Sequence, residues 1–184
     1  MSALTPGFAH AGEAQICFRA VLRALSRPGE IVTIDSNLTP PAPLSVAAAS
    51  VLLTLADAAT AVSVEAPARD WLLFHTGARL AGDAVADFVA TRARPKLHSL
   101  RAGTDDEPEA GATLILDVEA FDGPVYRLTG PGMAEAATVR LPLEQKFLEE
   151  WRAQRAIAPR GVDMLLCAGR QILGLPRSVA IEAA

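Results

Sequence analysis

A chain of 184 residues has the length of one ordinary domain and is long enough to bury a core without metal or disulfide staples. Seventeen basic residues against 21 acidic ones give a formal net charge of −4, which excludes a basic stripe and, with it, nucleic acid as the main partner. Hydrophobic residues make up 51% and charged ones only 21%, so either a partner covers part of the surface or the excess is simply alanine.

The stretch Met1–His10 has neither a basic start nor a long apolar run, so no signal peptide is expected. Residues 13–26 place Phe18, Val21, Leu22 and Leu25 at helical spacing, with Arg19 and Arg23 on the other side. Arg27-Pro28-Gly29 ends that helix, and Glu30–Asp35 reads as a short β-branched strand. A proline-rich connection leads to a second helix, 44–57, apolar on most sides and therefore expected to be buried between a sheet and another layer. Its longest apolar stretch, 46–56, is too short for a bilayer, which needs about 20 residues.

Ala61–Glu65 and Leu72–Thr76 read as strands, Asp83–Thr91 is ambiguous, and Arg94–Arg101 is a short helix capped by Gly103. After an acidic turn region at 104–111, the run Thr113-Leu114-Ile115-Leu116 predicts a central strand covered on both faces. Val125–Thr129 and Ala137–Leu141 are strands joined by a Gly130-Pro131-Gly132 turn. A helix over 143–156 carries Phe147, Leu148 and Trp151 inward, and Val162–Cys167 and Gln171–Leu175 close the pattern as strands. The alternation predicts a single α/β domain over residues 1–184, with a mixed sheet and helices on both faces as three layers.

Motifs of chemistry are sparse. No GxxxxGK[ST], GxGxxG or GxSxG occurs, and the proline in Gly130-Pro131-Gly132 removes a backbone donor that a phosphate loop would use. His10, His75 and His98 have no second ligand at metal spacing, and no metal site is expected. Cys17 and Cys167 lie in apolar stretches and read as structural thiols of a reducing compartment. Lys96 and Lys146 are the only lysines available for an imine. No catalytic residue emerges.

Three residues stand as ligand-binding candidates. His75 closes a predicted strand, where ligands gather in α/β sheets, although a histidine bonded to a neighbouring loop is the competing reading. Arg177, at the end of the last predicted strand, could pair with a phosphate, with a partner's carboxylate, or in a rim salt bridge. Arg127, inside a strand, is the third.

Taken together, ordered segments along the chain resemble a known family. They are Glu13-Ala14-Gln15 with Phe18-Arg19, Ala24-Leu25-Ser26-Arg27-Pro28-Gly29, Leu52-Leu53-Thr54-Leu55-Ala56-Asp57 and Phe74-His75-Thr76. Further along come Pro108-Glu109-Ala110-Gly111-Ala112-Thr113-Leu114, Leu128-Thr129-Gly130-Pro131-Gly132, Gly161-Val162-Asp163 and Leu175-Pro176-Arg177-Ser178. By these residues the chain is similar to the PhnH family, the H subunits of the carbon–phosphorus lyase core complex. Ser178-Val179 departs from the two threonines expected there, which weakens any hydroxyl role for that turn.

The resemblance implies a fold similar to the large domain of pyridoxal-phosphate-dependent transferases, but without that cofactor. It implies a cytoplasmic homodimer that joins G, I and J subunits. With an accessory L subunit, that machinery transfers the ribose triphosphate of ATP to methylphosphonate in phosphonate catabolism and releases adenine. The chain is then an accessory or non-catalytic transferase subunit with no cofactor, no nucleic acid and no membrane as partner. The alternative is a phosphonate- or nucleotide-binding module near His75 and Arg177. A third reading, a pyridoxal enzyme, needs an imine at Lys96 or Lys146.

Overall fold

The computed structural model describes residues 4–184, so the start of the Met1–His10 stretch lies outside it. Among the described residues there are four α-helices: α1 (Ala11–Ser26), α2 (Val46–Leu55), α3 (Ala66–Thr76) and α4 (Gln145–Arg155). The strands are β1 (Val32–Thr33), β2 (Ala61–Val64), β3 (Arg79–Leu80), β4 (Phe88–Thr91), β5 (Thr113–Asp117), β6 (Val125–Thr129), β7 (Ala137–Arg140), β8 (Asp163–Ala168), β9 (Gln171–Leu175) and β10 (Ala180–Ala183).

Seven strands form one mixed sheet in the order β1-β9-β8-β5-β4-β2-β3. β9 alone runs against the others, because β8, β5, β4, β2 and β3 pair in parallel and β1 pairs antiparallel with β9. Side chains alternate between two cores, as the period of 2 along a strand requires. Ile115, Leu165, Cys167 and Ile172 face one core with Val62 and Val64. Leu114, Leu116, Met164, Leu166, Leu173 and Leu175 face the other. The apolar run of β5 is thus covered on both faces, as the sequence predicts.

The layers differ from the expectation on one side. α1, α2 and α3 cover the first face. The second is covered by α4 together with a separate antiparallel sheet, β10-β6-β7, which supplies Tyr126, Leu128, Val139 and Ile181. The connection after β6 turns at Gly130, whose carbonyl accepts the Met133 N–H at 3.2 Å, and runs on to β7. α4 places Phe147, Leu148 and Trp151 inward as read from sequence, with Trp151 Nε1 donating to the Val179 carbonyl at 2.7 Å.

The structure corrects the sequence reading at several elements: β10 was not foreseen, the helix expected over Arg94–Arg101 is only the short 3-10 turn Leu97–Ser99, and α3 and α1 also differ. Leu72–Thr76 belongs to α3, with Pro67 in its first turn and Gly77 closing it in the left-handed region at φ 69°. In α1 the buried residues are Cys17, Val21 and Ala24, while Phe18 and Leu22 stay 50% and 57% exposed. The small residues face inward because the helix docks directly on the sheet: a Cβ on Gly174 would stand 2.5 Å from the Ala24 carbonyl oxygen. α2, with Ala47 to Leu52 buried, packs on β5 and β8 and against both α1 and α3.

Candidate functional site

His75 lies in the last turn of α3, not at a strand end. Its Nε2 is 3.0 Å from the Thr5 carbonyl oxygen, which also accepts the Trp71 indole N–H at 2.8 Å. The imidazole meets the Trp71 and Phe74 rings edge-on, each at 5.1 Å, and Gly7 lies so close that a Cβ there would be 2.8 Å from Nδ1. The ring therefore holds the N-terminal segment onto α3. His75→Ala should release that segment at a cost of about 1 kcal/mol, lowering the thermal midpoint by about 2–4 °C. Faster amide exchange confined to residues 5–9 checks this.

Arg127 is on β6, opposite Glu182 of β10 at 3.9 Å, with both side chains more than half exposed, so the pair contributes little. Arg177 follows β9 and turns inward. Its guanidinium donates to the Pro108 carbonyl, to the Gly161 carbonyl at 3.1 Å and to Asp163 Oδ2 at 2.9 Å, while its own backbone N–H donates to Asp163 Oδ1 at 2.7 Å. The three candidates are not brought together. His75 belongs to the helical layer, Arg127 to the small sheet, and Arg177 to the loops before β5 and β8.

Sequence reasoning missed the residues at the carboxyl ends of the parallel strands, where such sheets gather ligands. Asp117 ends β5 and is only 6% exposed. Its Oδ2 accepts the Ser45 N–H at 2.6 Å, and Ser45 Oγ in turn caps α2 by accepting from the Ala48 N–H at 3.1 Å. Burial raises the Asp117 carboxyl above the ordinary aspartate value, against the two hydrogen bonds from Ser45. The α2 N-terminus is thus occupied by the protein's own carboxylate and by the Gly169 carbonyl, which accepts the Ala47 N–H at 2.9 Å. Outside it is a shallow basin of about 500 Å³ bordered by Arg92, Asp117, Glu119 and Asp122. An aspartate ending an apolar strand is the signal that could have found it.

A second concavity, about 510 Å³, lies between α4 and the segment from Leu97 to Ala102. One wall is fixed by Glu150, which accepts from Arg94 at 3.1 and 3.3 Å and from the Leu97 N–H at 2.9 Å. Burial opposes ionisation there, but the Arg94 and Leu97 hydrogen bonds win and hold the Glu150 carboxyl below its usual value. An unfolded glutamate takes up its proton near pH 4.3, above the folded value, so protonation favours the unfolded chain. The stabilisation is fully present above about pH 4.3 and is lost as pH falls through the folded value. Glu150→Gln should therefore be less stable than the parent at pH 7, with the two urea midpoints converging as the pH falls below about 4.3.

Cys17 and Cys167 are buried and unbridged, and burial raises both thiols. Lys96 and Lys146 are exposed, and neither borders the basin or the α4 cleft. No group of three or more His, Cys, Asp or Glu side chains among the described residues is placed to hold a metal ion. No helix among them is long and apolar enough to cross a membrane.

Comparison with known proteins settles the family. The model for the bacterial phosphonate metabolism protein PhnH matches residues 6–182. The chain belongs to the PhnH family. It is 35% identical over 181 residues to the PhnH subunit of α-D-ribose 1-methylphosphonate 5-triphosphate synthase from Rhizobium meliloti (strain 1021), covering 92% of this chain and 90% of the relative. It is 34% identical over 176 residues to HtxG of Stutzerimonas stutzeri, named provisionally as a C–P lyase subunit protein, covering 91% of this chain and 85% of that one. Among PhnH-family segments singled out from sequence, Gly161-Val162-Asp163 and Leu175-Pro176-Arg177 meet in space through the Asp163–Arg177 clamp.

Proposed function

We propose that the chain is the H subunit of a carbon–phosphorus lyase core complex, contributing shape and contact surface to an assembly that transfers the ribose triphosphate of ATP to methylphosphonate. The observation that carries this is similarity along nearly the whole length to a named subunit of α-D-ribose 1-methylphosphonate 5-triphosphate synthase. In this reading the chain acts in the cytoplasm as one unit with the G, I and J proteins, L being accessory, and is a homodimer when isolated. The sheet in which one strand opposes six others supports the expected likeness to the large domain of pyridoxal-phosphate-dependent transferases.

Two features support a role in assembly. Phe18 and Leu22 stand one turn apart on the outer flank of α1, half or more exposed. Phe74, at 72%, is the most exposed of the large apolar side chains described. Apolar area left in water by the isolated chain is what an interface removes. His75 and Arg177 serve this reading as internal ties rather than ligand contacts.

Co-expression with G, I and J, with the affinity tag on this chain alone, tests the proposal. All four proteins should elute together. If G, I and J assemble with one another while this chain elutes without them, the proposal fails. Light scattering of the purified chain should give twice the chain mass.

A further inference from the structure

The α4 cleft has a composition that the subunit role does not use. Its lining is largely apolar: Leu97, Leu100 and Val162 are buried, while Ala153 and Ile157 are exposed. Its walls are pre-set by two polar residues whose hydrogen-bonding groups are already committed. Glu150 is held by Arg94 and the Leu97 N–H, and Gln154 is bonded at both ends to Val162, accepting from its N–H at 2.8 Å and donating to its carbonyl at 3.0 Å. Neither side chain can turn into the cleft without breaking those bonds, so the volume is present before anything binds.

The uncommitted polar groups of the lining are His98 and Glu149, both exposed at the mouth. Glu149 makes no ion pair among the described residues, and no arginine or lysine borders the cleft. With Glu150 neutralised by Arg94, one unbalanced carboxylate faces a preformed apolar volume in the usual range for small-molecule sites, about 300–1,000 Å³. An anion would meet the Glu149 carboxylate with only the His98 imidazole to set against it. A cation would gain a charge partner at the mouth while its body leaves water inside.

We propose that this cleft binds a small organic cation: an apolar body the size of one ring, buried against Leu100 and Val162, with a protonated amine directed to Glu149. The inference concerns a different place from the subunit role and stands independently of it.

Two probes of opposite charge on the same phenylethyl body test it on the full chain, 2-phenylethylammonium and 3-phenylpropanoate, read by backbone amide shifts. The ammonium probe should give saturable shifts at Leu100, Ala102, Ala153 and Val162, and should bind about threefold or more tightly than the carboxylate, the scale of one exposed charge pair. Glu149→Gln should remove the preference while keeping the shifts. Ala153→Trp, which fills the cleft from an exposed helix position, should abolish them. Absence of saturable shifts at these four amides overturns the proposal, as does equal binding of the two probes by the parent chain or an unchanged preference in Glu149→Gln. Should Ala153→Trp fail to fold, the Glu149→Gln comparison decides alone.

Discussion

Gly174→Ala is expected to lower stability by about 2–3 kcal/mol and the thermal midpoint by about 5–10 °C. The added methyl would meet backbone, not a movable side chain: Ala24 oxygen at 2.5 Å, Ala24 carbonyl carbon at 2.7 Å and Leu25 Cα at 2.9 Å. Relief requires α1 to lift from the sheet, and α1 carries Cys17, Val21 and Ala24 of the first core. The cost therefore spreads over the helix instead of staying local. Gly82→Ala is the control, since nothing lies within 4 Å of its added Cβ, and it should stay within about 0.5 kcal/mol of the parent. Chemical denaturation of the three proteins reads both values. Equal midpoints for Gly174→Ala and the parent would show that the helix is not seated as described.

The second large effect is at Arg177. Arg177→Ala should cost about 2–3 kcal/mol, at the lower end of what breaking a buried pair costs, because the two side chains retain 21% and 23% exposure. The variant leaves the Gly161 carbonyl without a donor, leaves the Pro108 carbonyl only the Gly111 N–H at 3.2 Å, and strips Asp163 Oδ2 of its cation. Arg177→Lys should recover less than half of the loss, since an ammonium cannot reproduce the fork that reaches two carbonyls and a carboxylate. A cycle with Asp163→Asn should show coupling of about 1 kcal/mol between the two positions. Urea midpoints measure all of these. A variant that keeps parental stability yet loses function would instead assign Arg177 to a ligand or a partner.

The central strands and α4 were legible in the sequence because their burial is extreme. Leu114-Ile115-Leu116 admits no amphipathic reading, and Phe147, Leu148 and Trp151 sit at helical spacing. α3 was not legible as a helix because Trp71-Leu72-Leu73-Phe74 is a short apolar run that periodicity cannot distinguish from a strand. Its bracketing Pro67 and Gly77 were the better signal. The outward turn of Phe18 and Leu22 could not be read from α1 alone, since it depends on Gly174, about 150 residues away in the chain, letting the backbone approach. β10 was missed for a similar reason. Ala180–Ala183 is ordinary in composition and becomes a strand through its pairing with β6.

The candidate site was less legible than the fold. His75 and Arg177 were singled out by position, and the structure shows each bonded to backbone carbonyls distant in sequence. Asp117 and Glu150 were passed over, and Asp163 entered only inside a family segment, because a single carboxylate in a sequence carries no sign of what it will face. Their hydrogen bonds span 72, 53 and 14 residues respectively. What the linear order did hold was the family pattern, which depends on spacing over the whole chain and not on any one cluster.

The most direct measurement is adenine release from ATP and methylphosphonate by the reconstituted subunits. Release should require this chain together with G, I and L, and the purified chain incubated alone with both substrates should release none. Turnover by the chain alone, or full activity from the other subunits without it, would contradict the account.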